Sequence, residues 1–197
     1  MNLFDVAGNS STSRLILNVT AGQTPLVLDL NGDGVRTTAL SEGVLFDNHH
    51  TGTPQRMGWT DGKDGLLVRD INHDGRINNG SELFGSGTDT ATGKAADGYA
   101  ALAQHDANAD GVIDAQDAIF KELQVWVDAN RDGATDACEL QSLAELGIAS
   151  LDLQAQAGTH LDNGNTLGLV SSWTDTQGQV HELADVWFAT QSLAEVV

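Results

Sequence analysis

The sequence predicts an α+β fold in which short strands and short helices are arranged around acidic loops. Three observations predict it. Apolar triplets such as Leu26-Val27-Leu28, Leu66-Leu67-Val68 and Val125-Trp126-Val127 have the length and composition of short buried strands. Between them lie clusters of Gly, Asn and Asp, residues that favour turns. Apolar residues also recur at helical spacing in two stretches, 115–123 and 137–146.

Residues 1–24 read as a leader or linker. "GNSSTS" is polar, and "RLILNV" is apolar enough to add a strand. A single domain is expected over 25–190, opening with Pro25, whose missing N–H costs nothing at the start of a strand. A weak helix is expected over 99–105. The helix over 115–123 places Ala118, Ile119 and Leu123 on one face. The helix over 137–146 does the same with Leu140, Leu143 and Leu146, and Gly147 is placed to stop it. After Ser150 the chain returns to strands in "SLDLQA", "TLGLVSSWT" and "QVHELADVWF", with a turn at Thr176-Gln177-Gly178. Residues 191–197 form a tail able to close as a short helix.

Composition narrows the function. Nine Lys and Arg stand against 28 Asp and Glu in 197 residues, a formal charge of −19. Such a surface repels nucleic acid and anionic membranes, so neither is an expected partner. No apolar run is long enough for a membrane-spanning helix, so no membrane insertion is expected. Residues 1–20 lack the basic and apolar regions of a cleavable signal peptide. Cys138 is the one cysteine, which excludes an intrachain disulfide.

The acids cluster with Asn and Gly in loops, where they repel one another unless a cation sits among them. Calcium takes six to eight hard oxygen ligands, and the EF-hand loop supplies them from positions 1, 3, 5, 7, 9 and 12, with Gly at 6. "DANRDGATDACE" matches throughout: Asp128, Asn130, Asp132, Gly133, the Ala134 carbonyl, Asp136 and Glu139. "DANADGVIDAQD" matches with Asp106, Asn108, Asp110, Gly111, the Val112 carbonyl, Asp114 and, at 12, the shorter Asp117. These two loops make an expected EF-hand-like pair over 106–146.

"DINHDGRINNGSE" offers Asp70, Asn72, Asp74, Gly75 and the Arg76 carbonyl, with its acid, Glu82, one place late at 13. "DLNGDGVRTTAL" offers Asp29, Asn31, Asp33, Gly34 and the Val35 carbonyl but ends on Leu40, so its last ligand must come from elsewhere; Asp61 and Asp64 are candidates. "DNHHTGT", from Asp47, has His49 and Thr51 where ligands belong and reads as a turn. A single such stretch is explained equally well by an Asx turn. Four copies in one chain favour calcium as the cofactor, bound in several EF-hand-like calcium loops. The six histidines show no zinc spacing, and no P-loop, GxSxG elbow or dinucleotide fingerprint is present, so no catalytic residue is assigned.

"PLVLDLNGDG", "DGLLVRDINHDGRINNGSELFG", "DGYAAL", "DANADGVIDAQDAIFKELQVWVDANRDG", "ELGIASLDL" and "NGNTL" occur in that order. Through them the chain from Pro25 to about 189 resembles the calcium-dependent self-processing module of FrpC-type RTX proteins, large proteins exported by type I secretion from Gram-negative bacteria. The resemblance implies a secreted or cell-surface module, a monomer flanked by domains of a larger protein such as an adhesin, that folds when it meets extracellular calcium. It also implies a reaction: in self-processing members an Asp before the proline attacks its own carbonyl, and the resulting anhydride is captured by water or by a lysine. Here Thr24 stands before Pro25. It has no side-chain carboxyl to form an anhydride, so the Thr24–Pro25 bond is expected to be inert. A self-processing module active at another bond, a dockerin-like interaction module built on the loops at 106 and 128, and a calcium-containing carbohydrate-binding or hydrolytic domain are the alternatives.

Overall fold

The computed structural model describes residues 23–191, together with the backbone of the short strands Leu3–Phe4, Ser10–Ser11 and Val19–Ala21. Most of the expected leader over 1–24, and the closing helix expected over 191–197, fall outside the described residues.

Nine strands form one antiparallel sheet. In chain order they are β1 (Leu26–Leu28), β2 (Gly65–Val68), β3 (Val112–Asp114), β4 (Gln124–Trp126), β5 (Leu140–Ser142), β6 (Ile148–Asp152), β7 (Gln156–Asp162), β8 (Asn165–Asp175) and β9 (Val180–Trp187). The spatial order is β3-β6-β8-β9-β1-β2-β4-β5, and the sheet curls into a half-barrel. β7 pairs with the first half of the long β8, and β6 with its second half. The first strand therefore lies between the second and the last: Leu28 is opposite Leu183 on one side and Gly65 on the other.

The central strands are apolar on both faces because both faces are covered. Leu26, Leu28, Leu67, Val125 and Leu183 point into one core with Tyr99, Leu102, Ile113 and Leu123. Val27, Leu66, Val68, Trp126 and Ala184 point into a second core with Phe46, Met57, Trp59 and Phe188. This explains why the triplets of β1, β2 and β4 are continuous apolar runs and not alternating ones. A four-stranded sheet of Val19–Ala21, Ala189–Gln191, Gln55–Met57 and Val44–Phe46 carries Val44, Phe46 and Met57 into the second core.

The expected α+β class is overturned. Strand accounts for 38% and helix for only 9%, and among the described residues no pair of helices flanks a loop in the EF-hand manner. The helix expected over 99–105 forms as α1 (Gly98–Ala103), capped by Asp97, whose side chain accepts the Ala100 N–H. The helix expected over 115–123 shrinks to a 3-10 segment, Ala118–Lys121. The helix expected over 137–146 is absent. Cys138 adopts φ 72, which no helix accommodates, and the free edge of β4 pairs with residues 140–142 as β5. One helical turn survives beyond it. Gly147 (φ 69) ends that turn: its N–H bonds the Ala144 carbonyl and the Ile148 N–H bonds the Leu143 carbonyl, a Schellman motif. The leucine spacing thus marked a real stop signal but an edge-strand pairing outweighed the helix before it.

Candidate metal centres

The four acidic loops share one backbone. Position four is left-handed in each, at Gly32 (φ 81), His73 (φ 58), Ala109 (φ 57) and Arg131 (φ 58). Position six is left-handed too, at Gly34, Gly75, Gly111 and Gly133. Left-handed backbone is uncommon for residues such as Ala and Arg, so its recurrence at one register position is a property of the loop and not of the residue. The two reversals fold N–H groups inward onto the carboxylate at position one. Asp70, Asp106 and Asp128 each accept the N–H groups of positions five and six. Asp29 accepts those of Asn31, Gly32 and Gly34.

The middle positions repeat as well. Asn72, Asn108 and Asn130 each accept the N–H of position five, and each turns its amide N–H onto the carboxylate there: Asp74, Asp110 and Asp132 at 3.2, 2.7 and 3.1 Å. Those carboxylates in turn accept the N–H groups of Arg76, Val112 and Ala134 at position seven, whose carbonyls are thereby oriented within the loop.

The closing acids do the same work in three loops. Glu139 accepts the N–H of Ala129 (3.1 Å) and of Asp136 (2.9 Å). Asp117 accepts those of Ala107 (2.8 Å) and Asp114 (3.1 Å). Glu82 accepts those of Ile71 (3.2 Å) and Asn78 (2.7 Å). In every case the donors are positions two and nine. The extra residue that places Glu82 at position 13 is taken up by the 3-10 turn Gly80–Glu82, capped by Asn79, so the acid returns to the same place. A shorter Asp at 117 reaches the same two donors.

Loop 29 borrows its closing acid. Asp64 accepts the N–H of Leu30, its position two, at 3.3 Å and that of Arg36 at 2.6 Å. Of the two candidates from "DGKDG", Asp64 reaches the loop. Asp61 instead accepts the N–H groups of Lys63 and Asp64, making the turn that presents its neighbour. Glu182, which sequence reasoning missed, accepts the Val35 N–H at 3.0 Å. It comes from β9, far along the chain, and no local pattern announces it. The loop is anchored below by the indole N–H of Trp173, which donates to the Asp29 carbonyl at 3.0 Å.

The loops expected to pair, 106 and 128, are not the ones that meet. Positions seven to nine of loop 106 form β3 and pair with β6. Loop 128 instead touches loop 70, where the Ile77 N–H donates to Thr135 Oγ1 at 2.9 Å, position eight to position eight. A dockerin-like face also lacks the helices it would need after these loops. The stretch from Asp47, read as a plain turn, has the same backbone: His50 (φ 51) and Gly52 (φ 80) at positions four and six, with Asp47 accepting the N–H groups of Thr51 and Gly52. His49 and Thr51 leave it without carboxylates at three and five.

Burial separates the candidate ligands into two groups. Asp29, Asp64, Glu82, Asp117, Asp128 and Glu139 are buried, whereas the Asn and Asp at positions three and five are exposed. Burial raises the carboxyl of Asp128, opposed by the N–H donors of Gly133 and Asp132 and by the indole of Trp59, with Glu139 adding to the rise. Asp64 is pushed up to about 7, chiefly by burial, with Asp61 and Asp29 adding negative charge. Asp74 is exposed, and the Asn78 side chain, its largest influence, holds its carboxyl below the usual value. Among the described residues no three His, Cys, Asp or Glu side chains converge as a ready-made cluster. The oxygens are spread around each loop, as carboxylates, Asn carbonyls and the main-chain carbonyls of Val35, Arg76, Val112 and Ala134. An oxygen-only set of this kind fits a hard cation such as calcium and does not fit zinc.

A family model described as "SPM domain" matches residues 26–189. The chain is 48% identical over 173 residues to the iron-regulated protein FrpA of Neisseria meningitidis serogroup C, an alignment covering 86% of this chain and 16% of that protein. The chain thus spans about a sixth of the length of this relative.

Proposed function

The chain belongs to the SPM domain family, and from that premise we propose that it is a calcium-binding module of a secreted RTX-type protein, folding as it binds extracellular calcium. One observation carries the reading. Loop 29 lacks a closing acid of its own, and Asp64 supplies a carboxylate to the same position-two N–H that Glu82, Asp117 and Glu139 take in theirs. A chance acidic turn has no reason to recruit a distant carboxylate into that place.

Each loop would hold its ion through oxygen alone: Asp29, Asn31, Asp33 and Val35 with Asp64; Asp70, Asn72, Asp74, Arg76 and Glu82; Asp106, Asn108, Asp110, Val112 and Asp117; Asp128, Asn130, Asp132, Ala134 and Glu139. Bound calcium supplies positive charge where these carboxylates otherwise repel one another. The buried acids then couple each ion to a core, because Asp128 lies under Trp59 and Asp29 under Trp173. At low calcium the repulsion keeps the chain loose; at millimolar calcium both cores close. The module would act as a monomer, stiffening flanking domains of a larger secreted or surface protein such as an adhesin, with the Thr24–Pro25 bond inert.

The test is a calcium titration of EGTA-stripped protein, followed by far-ultraviolet circular dichroism and tryptophan emission. A cooperative coil-to-fold transition between micromolar and millimolar calcium is expected. A protein already folded in EGTA and unmoved by calcium would overturn the proposal.

A further inference from the structure

Thr24 sits in an enclosed site that the calcium reading does not use. Thr24 and Asp185 are both buried, at 1% and 0% exposure. The Gln23 carbonyl accepts an N–H from the side chain of Asn48 at 2.8 Å, and Asn48 is itself buried. Thr24 and Ser86 exchange two hydrogen bonds: the Thr24 N–H donates to Ser86 Oγ (3.2 Å) and the Ser86 N–H donates to Thr24 Oγ1 (3.1 Å). Asp185 is paired with Leu26, the Val186 N–H donates to the Pro25 carbonyl at 3.0 Å, and the Thr24 side chain acts on the Asp185 carboxyl, which places it next to the Thr24 segment. Its Oδ2 accepts the Gly98 N–H at 3.1 Å, while Oδ1 has no hydrogen-bond partner among the described residues. Gly85 packs so tightly on the Thr24 carbonyl that a Cβ there would overlap it, so the segment is fixed from the other side.

A hydroxyl, a buried carboxyl near it with one oxygen unpartnered, and a donor on the preceding carbonyl oxygen are the parts of an acyl shift. We propose that this site cleaves the Gln23–Thr24 peptide bond by an N-to-O acyl shift, with Thr24 Oγ1 as nucleophile and Asp185 as its base.

Thr24 Oγ1 attacks the Gln23 carbonyl carbon and its proton passes to Asp185. The oxyanion that forms on the Gln23 oxygen is held by the Asn48 amide. The C–N bond then breaks as Asp185 returns the proton to the lone pair of the Thr24 nitrogen, whose existing N–H stays on Ser86 Oγ. The result is an ester between Gln23 and Thr24 Oγ1 with a free Thr24 amine. Water hydrolyses the ester, restoring the hydroxyl and leaving a carboxylate on Gln23; one water is consumed per bond broken. Burial pushes the Asp185 carboxyl up to about 7, so at neutral pH it can both take and return a proton. This chemistry leaves Thr24–Pro25 intact and needs the folded chain, which on the proposed function means the calcium-loaded one.

The experiment treats the folded full chain, in calcium, with hydroxylamine, which captures an ester at Gln23 and releases residues 24–197; intact mass is the readout. Release from the native chain and from Thr24→Ser, none from Thr24→Ala, and about a hundredfold slower release from Asp185→Asn are expected. Thr24→Cys provides a check that does not depend on the folding of the Asp185 variant: its thioester should be cut by dithiothreitol at the same bond. The proposal is overturned if the native chain, Thr24→Ser and Thr24→Cys all stay intact while folded by circular dichroism. It is equally overturned if cleavage is as fast in denaturant, since the bond would then need no site.

Discussion

The indole N–H of Trp59 donates to Asp128 Oδ2 at 2.7 Å, joining the most aromatic part of the second core to the first ligand position of loop 128. Trp59 also lies 5.4 Å from Trp126 in an edge-on arrangement, and Trp126 Nε1 points at Glu139, the closing acid of the same loop. Both ends of one loop are therefore read by tryptophans of one core. Replacing Trp59 with Phe should keep the apolar packing and remove the donor. A loss of about 2 kcal/mol in folding stability is expected, the scale of a hydrogen bond to a charged group. Urea unfolding in saturating calcium measures it, and calcium-dependent emission should fall markedly in this variant.

Closing acids should matter unequally from their neighbours at positions three and five. Glu139→Gln removes a buried charge that also organises Ala129 and Asp136. Calcium affinity at that loop should fall by about one to two orders of magnitude, the range over which ligand charge tunes such loops. Asp64→Asn should weaken loop 29 in the same way although it lies outside the loop, whereas Asp61→Asn should act less. Isothermal calorimetry on the three variants separates these outcomes.

Asp185 gives the folded protein a pH dependence that lies outside the acidic loops. Its folded value, about 7, stands above the ordinary 3.8, so the folded state binds this proton more tightly than the unfolded chain. Its contribution is complete below the unfolded value and is lost as pH rises through about 7. Thermal unfolding in saturating calcium should therefore show the native chain gaining more over Asp185→Asn at pH 6 than at pH 8. A native-over-variant difference in midpoint that grows from pH 6 to pH 8 would contradict this.

Gly85→Ala should be severe for its size. The added methyl overlaps the Thr24 carbonyl, which is main chain and has no rotamer to yield. A loss of about 3 kcal/mol is expected, against about 1 kcal/mol for Gly52→Ser, which meets open space and is strained only by its positive φ. Chemical denaturation of the two variants measures the contrast.

The loops were legible because their backbone sets residue type at fixed spacing: Asp at position one, Asn at three, Asp at five and Gly at six recur in all four. The central strands were legible because burial on both faces writes an unbroken apolar run, as in Leu26-Val27-Leu28. The helices were less so. Leu140, Leu143 and Leu146 fit a helix by spacing alone, and only the open edge of β4, together with the left-handed Cys138, makes the first of them a strand residue. Asp64 was legible as one of two candidates, since the missing acid at Leu40 asked for it. Glu182 was not, because its place beside Val35 is set by the pairing of β9 with β1, a relation that no local window contains. The Asp47 stretch shows the converse limit: the loop backbone persists where the side chains that would use it are gone.

Strand β1, near the beginning of the described chain, is wedged between β2 and β9, near its end, and its alternate residues face two different cores. The wall between the cores is thus finished last, whichever piece forms first. A chain cut short before Val180 has no partner for one side of that wall, and neither compartment can seal. Stability in this protein is therefore indivisible along its length: truncation from the far end should not leave a smaller stable protein but a chain that fails as a whole, and slow, late-committing assembly is the kinetic signature of contacts so distant in sequence.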